Sequence, residues 1–217
     1  MSQTLTALAA ALPLATGWAV HSLRLRYQIQ AARRDPLSGL LTRDPFEKRA
    51  RKTLACGSRA VVVIDLDGFK LVNDTYGHAA GDVVIAAVGE RLKRWSLDNG
   101  GIAARLGGDE FVAVASVHSR ADLRWAMDEL AIALGKPVNF EGRDLYVGFS
   151  AGVVWSQPHG TAFDLPRLMR RADEVMFGVK QTGGGWQAAC DPTLAYRTVN
   201  GRRDGRRGTA NATGEPG

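Results

Sequence analysis

The chain has 217 residues, 45% of them hydrophobic and 23% charged, which excludes wholesale disorder and leaves room for one domain of ordinary size. Two cysteines, Cys56 and Cys190, exclude a disulfide scaffold and any CxxC metal site. The net charge of +6 sits at the ends: residues 1–34 hold four arginines and no acid, residues 191–217 hold five arginines against three acids, and the neutral stretch between them argues against a binder of nucleic-acid backbones.

In chain order, residues 4–23 come first and contain no Asp, Glu, Lys or Arg. Twenty helical residues span about 30 Å, the thickness of a bilayer core. Arg24, Arg26, Arg33 and Arg34 follow, which places the rest of the chain on the inner face of the membrane by the positive-inside rule. The competing reading is a soluble or interfacial helix in the cytoplasm, because Pro13, Gly17, His21 and three threonines weaken the run. A secretory signal fits less well, since no basic region precedes the apolar stretch.

The middle alternates strand and helix signals. Ala60–Leu66 is a β-branched run of the buried-strand type, and Ala79–Trp95 reads as a helix. Ile102–Leu106 and Phe111–Ala115 flank Gly107-Gly108 and read as a hairpin. Ala121–Leu134 is helical, Leu145–Trp155 a strand, Leu165–Lys180 a helix and Trp186–Ala189 a last strand. The order α-β-α-β-β-α-β-α-β, with no residues assigned to its leading helix, is an α+β sheet domain close to a ferredoxin-like pattern. Trp125, Met127, Trp155 and Phe163 read as packing residues. From about 191 the chain is Gly, Arg, Asn, Thr and Pro without periodicity and reads as a disordered tail.

Two carboxylate clusters carry the chemistry. Asp65-Leu66-Asp67 ends the Val-rich strand, and burying unpaired carboxylates there is costly. Gly107-Gly108-Asp109-Glu110 forms the hairpin tip, where two glycines permit positive φ and close approach to a ligand. If strand pairing joins the clusters, a divalent cation relieves their repulsion, and all-oxygen donors suit Mg²⁺ or Mn²⁺. Between them, Gly68 to Asp82 mixes Lys70 with Asn73, Asp74, His78 and Asp82. Such side chains can read a guanine edge, while Asn73-Asp74 as turn or cap residues is the blander alternative. Asp67 is open between holding the loop and serving the site.

Taken together, Asp65-x-Asp67-x-Phe69-Lys70-x-x-Asn73-Asp74-x-x-Gly77-His78-x-x-Gly81-Asp82 and Arg105-Leu106-Gly107-Gly108-Asp109-Glu110-Phe111 resemble the GGDEF domain of diguanylate cyclases. The resemblance opens at Asp35-Pro36-Leu37-Ser38-Gly39-Leu40-Leu41-Thr42-Arg43, continues through Phe149-Ser150-Ala151-Gly152 and ends with Ala172 to Lys180. It implies a palm-like sheet with surrounding helices over residues 33–190. It also implies condensation of two GTP into cyclic di-GMP and two pyrophosphates across a homodimer, with no nucleic-acid partner. By resemblance, Asp65, Asp109 and the Leu66 carbonyl hold the metal. Glu110 is a second candidate for metal binding or for deprotonating the ribose 3′-hydroxyl. Asn73 and Asp82 read guanine beside His78, while Gly107, Gly108, Phe69, Lys70 and Lys180 serve the substrate. Dimerisation is expected from the 4–23 helix, the stalk from Leu23 to Ala32, the domain itself or a further partner.

Two departures stand against the family pattern. Its last helix usually ends in Lys and Arg, and Gly184 stands here in the Arg position. Losing that charge-assisted contact costs about 1.5–3 kcal/mol of binding. The family's product-binding RxxD positions fall on Asp98 and Gly101, so neither residue of the motif is present. A catalytically silent GGDEF module that binds GTP or a protein partner is the alternative these departures keep open.

Overall fold

The computed structural model describes residues 33–156 and 164–189, together with Trp18, His21 and Arg24, which are helical and exposed. The rest of the expected 4–23 span and its stalk, Phe163, Cys190 and the tail from 191 lie outside the described residues. Among the described residues, no helix is long and apolar enough to cross a membrane.

The architecture is built on β1 (Arg59–Asp67), the Val-rich run. Alternation along the strand divides its side chains between two cores. Ala60, Val62, Ile64 and Leu66 enter one core; Val61 and Val63 enter the other. Burial on both faces explains why the run is continuously apolar. The chain is ordered as α1 (Arg43–Leu54), β1, α2 (Phe69–Tyr76), α3 (His78–Asp98), β2 (Ile102–Gly107), β3 (Glu110–Ser116), α4 (Arg120–Leu134), β4 (Val138–Phe140), β5 (Arg143–Leu145), β6 (Gly148–Ser156), α5 (Leu165–Gln181) and β7 (Gly185–Ala188).

The main sheet runs β2-β3-β1-β6-β7, with β1 antiparallel to both neighbours and β7 parallel to β6. The first four of these strands have the order and sense of a ferredoxin-like β-α-β-β-α-β unit, as expected. Residues of α3 and α4 cover one face, and residues of α1 and α5 the other. Central β1 therefore ends with Asp65 and Asp67 on the α5 side.

Three local readings need correction. The helix expected from Ala79 starts at His78 and runs to Asp98, and a separate short helix, α2, precedes it. Gly77, at φ 84°, breaks the two apart, so Asn73 and Asp74 lie inside α2 rather than in a turn or cap. The strand expected over Leu145–Trp155 is two strands. Leu145 closes a small hairpin by pairing with Val138, and β6 starts only at Gly148. Third, Trp125 is 66% exposed, whereas Met127 is buried and the Trp155 indole donates to Ser58 Oγ at 2.7 Å. Helix α1 takes the leading helical place of the pattern.

Candidate active site

The end of β1 gathers the charged groups. Asp65 pairs across the ladder with Glu110 on β3 and with Ser150 on β6. Its side chain is 9% exposed and forms an ion pair with the Lys180 ammonium in the last turn of α5. Asp67, two residues on and on the same face, is committed elsewhere. Ser150 Oγ donates to its two oxygens at 2.9 and 3.0 Å. A methyl at Gly184 would lie 2.9 Å from Asp67 Oδ2, and one at Gly148 3.2 Å from its Cβ. Asp67 thus ties the end of β1 to β6 and packs against the α5–β7 turn.

The β2–β3 turn brings the second cluster beside the first. Gly108, the first central residue of a two-residue reversal around Gly108-Asp109, adopts the positive φ of 52° such a turn favours, and Gly107, paired with Glu110 after a register shift in β2, adopts φ 151°. Two hydrogen bonds to its carbonyls fix the turn: Leu66 N–H donates to the Asp109 carbonyl at 3.2 Å, and the Arg105 side-chain Nε donates to the Gly108 carbonyl at 2.9 Å. Arg105 is in turn held by Asp35, whose two carboxylate oxygens accept from Nη1 at 3.0 and 3.2 Å. Burial alone would raise the Asp35 carboxyl. Hydrogen bonds from the Ser38 hydroxyl and backbone N–H, and then the Arg105 contact, outweigh it and hold the group below the usual range. Asp109 goes the other way. Burial, and then the negative charge of Asp65, raise its carboxyl above the ordinary value, with Lys180 and Arg105 opposing.

The remaining expected residues lie on α2 and α3. Gly68, at φ 74°, turns the chain from β1 into α2, so Phe69 and Lys70 occupy a first helical turn whose N–H groups have no intrahelical acceptor. Such a turn suits a phosphate. Asn73 packs over Gly81: a Cβ there would meet Asn73 Oδ1 at 2.0 Å. His78 and Asp82, four residues apart on α3, share one exposed helix face. Asp65, Asp109, Glu110 and Lys180 therefore meet at the end of the sheet, and Asn73, His78 and Asp82 belong to the adjoining helix pair.

A family model described as "Diguanylate cyclase, GGDEF domain" matches residues 32–185. The chain belongs to the GGDEF domain family. It is 45% identical over 143 residues to an uncharacterized 19.3 kDa protein of Streptomyces ambofaciens, covering 65% of this chain and 75% of that protein. It is 33% identical over 175 residues to diguanylate cyclase DgcP of Pseudomonas aeruginosa, covering 76% of this chain and 25% of that one. Among solved structures, a sensory box/GGDEF family protein of Caulobacter crescentus is 36% identical with a TM-score of 0.61, covering 70% of this chain and 100% of that one. The coiled coil and GGDEF domain of DgcB from the same organism, at 24% identity, shares the fold with a TM-score of 0.71. The overlap spans about a quarter of DgcP and three quarters of the Streptomyces protein.

The GGDEF site fits a hard divalent cation. Two neighbouring carboxylates, one of them raised by burial and then by the other's charge, and backbone carbonyls offer an all-oxygen donor set. Among the described residues, no group of three or more His, Cys, Asp or Glu side chains is placed to hold a metal. Such a cation would complete its shell from water and substrate phosphates, which is how Mg²⁺ is commonly bound.

Sequence reasoning gave no role to Arg105, Asp35 or Ser150. All three stand within motifs quoted above, but the Asp35–Arg105 contact joins residues 70 apart and no spacing signals it. The structure also explains Gly184. It sits at φ 91° against Asp67, in a run with Gly183 and Gly185 at positive φ. Gly184→Arg is therefore expected to lose about 1–3 kcal/mol of stability from backbone strain and crowding, rather than regain phosphate affinity. Urea unfolding of the variant checks this, and a midpoint unchanged from the parent would refute it. Gly101 is equally tight: a Cβ would lie 1.8 Å from the Val114 carbonyl oxygen, so an aspartate at that position of the product-binding motif needs the hairpin to shift.

Proposed function

We propose that the chain is an active diguanylate cyclase that joins two GTP into cyclic di-GMP with release of two pyrophosphates. The observation that carries the reading is the convergence of Asp65, Asp109 and Lys180 beside the Gly107-Gly108 turn, within a GGDEF domain whose relatives include proteins named diguanylate cyclase. Residues 33–190 form the catalytic unit in this reading.

Asp65, Asp109 and the Leu66 carbonyl would hold Mg²⁺ or Mn²⁺, with Glu110 beside them. The metal would neutralise phosphate charge and stabilise the leaving pyrophosphate. The first turn of α2, at Phe69 and Lys70, and the Lys180 ammonium bind phosphate oxygens. Gly107 and Gly108 let the substrate lie against the turn backbone. Asn73 and Asp82 recognise guanine beside His78. The 3′-oxygen of each GTP attacks the α-phosphorus of the other, so that two phosphodiester bonds form and two bonds to pyrophosphate break, and Glu110 of each domain accepts one 3′-hydroxyl proton. Each domain holds one GTP, so two copies must face each other, and alignment of the two substrates supplies several kcal/mol. No feedback binding of product at residues 98–101 belongs to the same reading, as does anchoring of the full chain through residues 4–23 at the inner face of the membrane.

Incubation of the full chain with GTP and Mg²⁺, with nucleotides resolved by chromatography, tests the proposal. Cyclic di-GMP and pyrophosphate in a 1:2 ratio support it. GTP binding without turnover would instead favour a silent module, the reading that the missing arginine at Gly184 recommends.

A further inference from the structure

Asp65 has one ion-pair partner among the described residues, and it is Lys180. The two come from opposite directions. Asp65 is fixed by pairing with both neighbouring strands, and its side chain is 9% exposed. Lys180 belongs to the last turn of a helix whose backbone is pinned to the sheet through buried Ala172, Met176 and Val179. Its side chain, by contrast, is 43% exposed. The position of the helix is set, while the four-carbon stem and its ammonium are free to swing.

We propose that Lys180 is the resident counterion of Asp65, which a divalent cation must displace and which then moves to the substrate phosphate. This rests on the reading that Asp65 and Asp109 hold the cation. A Mg²⁺ ion sits about 2.0–2.1 Å from a carboxylate oxygen, and an ammonium hydrogen-bonded to the same oxygen occupies that approach and repels the ion. Ser150 cannot replace Lys180 at Asp65, because its hydroxyl is committed to Asp67. Before the cation arrives, Lys180 offsets the charge of two adjacent carboxylates. When cation and triphosphate arrive together, the phosphate oxygens give the displaced ammonium a new acceptor. Metal and nucleotide binding are then coupled through one side chain: bare metal binds poorly, and metal with nucleotide binds well.

The test is titration of the full chain with Mn²⁺, with free Mn²⁺ read by electron paramagnetic resonance, with and without a non-hydrolysable GTP analogue. Lys180→Met is expected to tighten Mn²⁺ binding without nucleotide by about tenfold or more, the scale of one charge-assisted contact. The factor by which the analogue improves Mn²⁺ affinity is expected to shrink by a similar amount. Lys180→Arg keeps the charge and is expected to leave nucleotide-free Mn²⁺ binding as weak as in the parent. Lys180→Gln provides a second neutral variant if Met perturbs the fold. Unchanged or weaker nucleotide-free Mn²⁺ binding in the neutral variants overturns the proposal, because Lys180 then does not compete with the ion. Failure of the underlying reading looks different: Asp65→Asn would then match the parent in Mn²⁺ binding even with the analogue present.

Discussion

Asp109→Ala is expected to abolish cyclic di-GMP formation, lowering kcat by at least about a thousandfold, or ~4 kcal/mol of transition-state stabilisation. The turn itself should survive. Its shape depends on Gly107 and Gly108, on the Leu66 N–H to Asp109 carbonyl bond and on Arg105 holding the Gly108 carbonyl, none of which uses the Asp109 side chain. What is lost is the carboxylate beside Asp65. Activity within tenfold of the parent would remove Asp109 from the machinery.

Asp109→Asn separates function from stability. Burial, and then the Asp65 charge, raise the folded-state pKa above its ordinary 3.8. The folded chain therefore binds this proton more tightly than the unfolded chain, and the ionised group costs stability above the folded-state value. The cost is absent below the unfolded value. The Asn variant should accordingly be inactive yet more stable than the parent at neutral pH, without metal. That gain should fade as pH falls toward 3.8. Thermal unfolding across this range in the presence of a chelator reads the effect, and a gain independent of pH would contradict it.

Gly152→Ala is expected to cost about 3 kcal/mol of stability, near the upper end for overpacking. A Cβ at this position of β6 would lie 2.0 Å from the Ala172 carbonyl oxygen and 2.4 Å from the Met176 nitrogen. Both are backbone atoms of α5, so no rotamer change relieves the clash and the helix must move off the sheet. Because α5 carries Lys180 to Asp65, activity should fall as well, on the order of a hundredfold for a displacement near 1 Å. Chemical denaturation and a turnover assay on the same preparation check the two effects together. An unchanged denaturation midpoint would show that the helix tolerates the methyl.

The effect of Gly152 was hidden in the sequence, where it stands as one glycine in the Phe149-Ser150-Ala151-Gly152 stretch of the family resemblance. Burial on both faces of β1, the hairpin around Gly107-Gly108 and the helix ending at Lys180 were legible because local periodicity and turn chemistry report them directly. Helix α2 was not. Eight residues ended by a glycine give too short a period, and Asn73 and Asp74 favour turns when read locally. The strand reading through Leu145 failed because pairing with Val138, not local composition, decides where one strand ends.

Residue types at short spacing were enough to settle the β-α-β-β-α-β frame, the two acidic clusters and the family. How those residues are used follows from contacts between distant parts of the chain. Asp65 and Asp67 are chemically identical and two residues apart on one strand face. Lys180 lies 115 residues from the first, and Ser150 lies 83 from the second. A separation of 70 residues likewise hides the Asp35–Arg105 hold on the Gly107-Gly108 turn. An ion pair or hydrogen bond depends on distance in space, and that distance is set by which strands pair and which helix lies against them.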